Sequence, residues 1–221
     1  MFEKIAVTTL LITLLVIAGH YVYRLVRGAV KEGVCPACAI MRLPLRMISA
    51  MLLEQKLGFL GRVRKLVLLV GLLCFAVLAV TGFWPPLAEG EYLAGYMLMI
   101  HATFAPVLAI CLAVAAVMYA YDCRFEQADW KGVLRLVKPE GRWEGGEKPA
   151  APFLQRILFW VLMILSLPLM LSIALSMFPL FGTEMQEFLF EVHRYTALTM
   201  LICVLLQVYL AAVMPVCCNN E

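Results

Sequence analysis

Residues 66–83 read LVLLVGLLCFAVLAVTGF, eighteen consecutive positions without a charged side chain. A helix crosses the hydrocarbon of a bilayer with about 20 such residues, and the run stops at Trp84-Pro85-Pro86. Working outward from it, four more segments of the same kind appear. Ile5–Tyr23 is uncharged, and Tyr92–Tyr121 is thirty uncharged residues, long enough to tilt or to project from the membrane. Ile157–Phe181 is the fourth span and Phe188–Met214 the fifth, the latter charged only near its start at Glu191 and Arg194. The composition agrees: 64% of the 221 residues are hydrophobic and 15% charged, where a soluble domain is roughly half apolar and about a quarter charged. A soluble enzyme, a nucleic-acid-binding domain and a disordered chain are excluded. The fold class is all-α, an integral membrane bundle of five transmembrane helices lodged in the lipid bilayer.

The first run is read as a span and not as a signal peptide, because its positive charges follow the apolar stretch and no small-residue cleavage site appears. Charge in the loops sets the expected orientation. Residues 28–65 carry seven Lys/Arg against two acids, and 122–153 carry six of each. The segments 84–91 and 182–187 carry no Lys or Arg and two Glu each. Positive residues mark the cytoplasmic side. The expectation is a multi-pass protein of a bacterial inner membrane, with the N-terminus periplasmic and the C-terminus cytoplasmic. Ala39–Leu60 is apolar, but its Arg42, Pro44, Arg46, Glu54 and Lys56 make it an interfacial amphipathic helix instead of a span. The Gly/Pro/charged stretch 139–152 reads as a loop.

The chain has three histidines, His20, His101 and His193, all in or at spans. Ionisable residues inside membranes point to function by default. At 1.5 Å per residue, His101 and His193 sit at similar depth in the periplasmic half of different helices. Such a pair can ligate one haem iron from opposite faces; it can equally be two polar side chains bonding within the bundle.

Short motifs then line up in order. Arg62-Val63-Arg64-Lys65-Leu66 precedes a run ending in Thr81-Gly82-Phe83, followed by Leu98-Met99-Ile100-His101, Phe159-Trp160, His193 and Gln207-Val208-Tyr209. In this order and spacing, residues 62–221 resemble the four-helix membrane cytochrome b subunits of respiratory formate dehydrogenases and nickel–iron hydrogenases. The resemblance divides the chain into 1–61, an extra helix with the amphipathic segment, and 62–221, a cytochrome-b-like core. It implies an outer haem b held by His101 and His193. The family's inner haem ligands fall on Lys65 and Gln207, so the resemblance implies one haem, not two. Arg194, beside a ligand, is a candidate to neutralise a haem propionate or a plain interfacial arginine. His20 has no counterpart in the family. It is open to three readings: a bond across the bundle or to lipid headgroups, a quinone pocket, or a ligand of an inner haem.

Cys35-Pro36-Ala37-Cys38 lacks the histidine that covalent haem attachment needs after the second cysteine. Followed by Arg42, it resembles the quinone-coupled disulfide oxidoreductase of the periplasm, which requires the pair to face outward. On the expected topology Cys35, Cys38, Cys123, Cys217 and Cys218 share the cytoplasmic face. They would then hold Zn or an iron–sulfur cluster, or be reduced thiols. The resemblance implies a haem-b electron-transfer subunit of a respiratory complex, working with quinone and with a periplasmic cytochrome c or iron–sulfur protein. A structural anchor is the alternative from a different class.

Overall fold

The computed structural model describes residues 2–32, 58–90, 92–125, 151–178 and 182–213. Five helices cross them: α1 Phe2–Glu32, α2 Phe59–Trp84, α3 Gly95–Tyr119, α4 Ala151–Ser176 and α5 Thr183–Val213. There is no strand among the described residues. Each helix contains a stretch long and apolar enough to span a membrane, so the expected class holds, with five such spans among the described residues. Large apolar side chains such as Val117, 82% exposed, and Leu15, 70% exposed, cover the outside. Lipid accepts that surface at no cost, because acyl chains are as apolar as leucine.

The helices and their apolar runs differ at the ends: α3 is shorter than the uncharged run Tyr92–Tyr121, and α4 stops at Ser176 short of Phe181, whereas α1, α2 and α5 start ahead of theirs. α2 begins at Phe59 and not at Leu66, and carries Arg62, Arg64 and Lys65 in its first turns. Arg64 is accommodated because its guanidinium donates to the Asp122 carboxylate at 2.7 Å and to the Met118 carbonyl at 2.6 Å. α5 begins at Thr183 and not at Phe188. Its extra turn holds Glu184 and Glu187, and acidic side chains near a helix N-terminus are stabilised by the helix dipole. At the other end of α2, Pro85 and Pro86 lack the N–H that would continue the α-helical ladder. The chain widens into a π turn, Pro85–Glu89, closed when the Gly90 N–H donates to the Pro85 carbonyl. Gly90 has φ 67°, a left-handed conformation glycine reaches without a Cβ penalty. The amphipathic helix expected over Ala39–Leu60 lies outside the described residues, apart from its last residues, which belong to α2. The expected loop 139–152 also lies outside them, except that α4 already includes residues 151 and 152.

Packing is by hairpins. α2 runs against α3 and α4 against α5, with sparse contact between the two hairpins. The larger core cluster lies between α4 and α5, with Leu158, Leu162, Met200, Cys203 and Leu210 buried and Phe75 and Leu112 packed on it from the other hairpin. α1 joins along α5 and reaches the π turn. Its Ala6 is fully buried against Leu198.

The first residues of α1 seal one end of the bundle. Phe2, 5% exposed, stacks on Phe83 at 6.5 Å and meets Tyr195 edge-on at 5.3 Å. The Arg194 guanidinium lies 4.2 Å over its ring. In lipid the transfer term for an aromatic ring nearly vanishes, so the packing and cation–π terms decide. Phe2→Ala is therefore expected to lower stability by about 2 kcal/mol, read as a lower midpoint of thermal unfolding in detergent. An unchanged midpoint would show that α1 is only loosely docked.

Candidate functional site

Four helices meet around the two histidines predicted to act together. His101 is in the second turn of α3 and His193 in the third turn of α5. They belong to different hairpins and lie toward the same end of the bundle. Both are half-buried.

Each ring is held by the other helix of its own hairpin. His193 Nδ1 is 2.9 Å from the Leu169 carbonyl of α4 and 3.5 Å from the Ser172 hydroxyl. A carbonyl only accepts, so Nδ1 carries the proton and donates. His101 Nδ1 is 3.0 Å from the Thr81 hydroxyl of α2. That hydroxyl donates its own hydrogen to the Val77 carbonyl at 2.8 Å. With that hydrogen given to Val77, the lone pairs of the hydroxyl are left to accept, and the Nδ1–H tautomer of His101 is the one that satisfies both contacts at once. In a neutral imidazole the second nitrogen then carries the lone pair. Both Nε2 atoms are therefore electron-pair donors. Among the described residues no hydrogen bond engages either of them.

This donor set fits a haem iron. A metal-bound histidine usually donates its other N–H to a carbonyl, carboxylate or similar acceptor, which fixes tautomer and ring orientation. Gly82 is part of the fit: a Cβ there would lie 3.1 Å from His101 Cε1. Only the missing side chain lets α2 come so close to the ring.

Arg194 points its guanidinium at Glu191, 3.0 Å away, and over Phe2 and Phe190. It is thus fixed beside His193 by the end-seal of the bundle. An open cleft of about 620 Å³ adjoins this end, lined by Tyr92, Ser176, Thr183, Gln186, Glu187 and Glu191, among others.

At the opposite end the structure pairs other residues. The exposed His20 shares a hydrogen bond between Nδ1 and the Tyr209 hydroxyl, with the rings edge to face at 5.7 Å. Of its three readings, the bond across the bundle is the one seen. The Gln207 Oε1 is buried with no hydrogen-bond partner among the described residues. Trp160 Nε1 donates to the Cys123 carbonyl at 2.9 Å, tying α4 to the end of α3. Cys35, Cys38, Cys217 and Cys218 lie outside the described residues. Among those described, no group of three or more His, Cys, Asp or Glu is arranged for a metal.

Sequence reasoning found both histidines but not what holds them. Thr81 and Gly82 entered only as a short motif, and the Leu169 carbonyl and Ser172 did not enter at all. A signal existed: each histidine has a hydroxyl residue 20 or 21 positions ahead of it, inside the preceding apolar run. Fold and site together define a multi-pass membrane helical bundle in which each hairpin braces one histidine toward the same end. No family profile, curated protein or solved structure matches the chain.

Proposed function

We propose that this protein is a haem-b electron-transfer subunit of a membrane oxidoreductase complex. The observation that carries the reading is the paired support of the rings. Two imidazoles from different hairpins each set Nδ1 against a protein oxygen, and among the described residues neither Nε2 has a hydrogen bond. His101 and His193 would hold the iron of one haem through these nitrogens. Bound there, haem b would supply one-electron redox chemistry. The chain's own residues do the rest. Thr81 and Leu169 orient the ligands, Gly82 admits the ring, and Arg194 offers positive charge for a propionate. Phe2 with Phe83 and Tyr195 keeps water from this end.

Quinone is the membrane-soluble partner in this reading. The adjoining cleft offers hydroxyls at Ser176 and Thr183 for a quinone headgroup. A quinol loses protons along with electrons, and Glu187 and Glu191 line the same cleft as acceptors. The other partner is a periplasmic cytochrome c or iron–sulfur protein. Cys35, Cys38, Cys123, Cys217 and Cys218 remain candidates for Zn or an iron–sulfur cluster. A visible spectrum of the purified protein, with the haem-to-protein ratio, tests the reading. Absence of haem from the natively purified complex would leave a structural anchor.

The orientation proposed places the His101 end in the periplasm, because the Lys/Arg-rich segments emerge at the other end. A membrane-impermeant thiol reagent on intact cells is then expected to miss Cys35 and Cys38, and to label them once the cells are opened. Labelling from outside would reverse the orientation and favour thiol–disulfide chemistry instead.

A further inference from the structure

We infer that Thr81 is the positioning residue that fixes the tautomer of His101 and thereby tunes the redox potential of the site. The redox consequence rests on the haem reading; the tautomer does not. The two histidines are supported unequally. His193 leans on a backbone carbonyl, which no side-chain substitution at Leu169 removes. His101 leans on a single hydroxyl, and that hydroxyl is itself polarised by donating to the Val77 carbonyl. Thr81 is 5% exposed, so no water stands ready to replace it.

The threonine does more than complete its helix. Its bond back to Val77 would satisfy it alone, as buried hydroxyls in membrane helices often are. What is added is a relay, His101 Nδ1–H to Thr81 Oγ1 and Thr81 Oγ1–H to Val77 O. An acceptor on Nδ1–H makes Nε2 a stronger donor. A stronger donor favours the ferric over the ferrous ion, so the relay holds the potential down. Removing it raises the potential and frees the ring to turn or to exchange tautomers. Loss of such an outer partner typically costs roughly 10- to 100-fold in metal affinity.

The test uses the full chain in lipid nanodiscs, labelled with ¹⁵N-histidine and reduced with dithionite. With only three histidines in the chain, His101 is assigned from the spectrum of His101→Gln. The wild type is expected to show a hydrogen-bonded Nδ1–H at His101, with or without haem. Thr81→Val, nearly the same shape, is expected to shift or lose that signal, and Thr81→Ser to restore it. On haem-containing protein, Thr81→Val is expected to raise the midpoint potential and weaken haem retention 10- to 100-fold, again reversed by serine. A proton on His101 Nε2 in the wild type would overturn the inference, as would a Thr81→Val protein with unchanged imidazole signals and potential. Failure of the haem reading is separate: it shows as haem-free protein, in which the NMR arm still decides the role of Thr81.

Discussion

Replacing either His101 or His193 with alanine is expected to abolish the low-spin haem spectrum, from about one haem b per chain to none. The size of the effect follows from the arrangement of the site. One ligand comes from each hairpin, and the hairpins touch sparsely, so loss of one imidazole leaves an iron tied to one half of the bundle only. The second imidazole cannot be supplied from elsewhere. The third histidine, His20, is on α1 and bonded to Tyr209 at the far end. His20→Ala is accordingly expected to leave the spectrum intact. Difference spectra of the three variants, with the haem-to-protein ratio, decide the matter. Retention of a low-spin spectrum in either site variant would remove the two-histidine centre. Two low-spin haems per wild-type chain would mean that Gln207 or His20 ligates a second one.

The five spans were legible in the sequence because the bilayer imposes a length and forbids charge, a constraint that each run satisfies by itself. Their ends were not. Whether a helix continues past its apolar core depends on whether its first charged residue finds a partner. Arg64 finds Asp122, 58 positions away, and no local pattern announces that. The similar depth of His101 and His193 was legible for the same reason as the spans: depth can be counted along a helix. Their support was not, since Leu169 contributes through its carbonyl, and any residue type has one. The seal by Phe2 was hidden for a related reason. A phenylalanine beside lipid is unremarkable until Arg194 and Phe83 are seen around it. Arg194 itself was legible as a charge next to His193, and the structure gives it Glu191 as a partner.

The second large effect is expected at Gly82. Two glycines of α2 face α3, and their contexts predict opposite outcomes. At Gly71 an added Cβ would meet the Cβ of Cys111 at 3.4 Å, an ordinary contact. Gly71→Ala therefore keeps the gain in helix propensity, up to about 1 kcal/mol, and is expected to leave haem content unchanged. At Gly82 the Cβ would lie 3.1 Å from His101 Cε1 and 3.5 Å from Nδ1. An aromatic ring gripped by Thr81 has little room to give, and moving it breaks the bond that fixes its tautomer. Gly82→Ala gains the same propensity but must displace the ring, so the two effects offset in the stability of the haem-free protein while haem content is expected to fall. Gly82→Val adds two methyl groups at the same place and is expected to lose the haem, with about 10-fold or greater weakening of retention. That divergence separates the site from the scaffold. Substitution in a merely structural contact would lower thermal stability and haem together, whereas a substitution that strikes the ligand lowers haem alone. Measuring both for Gly71→Ala, Gly82→Ala and Gly82→Val is decisive: equal haem content in all three would mean that α2 does not position His101.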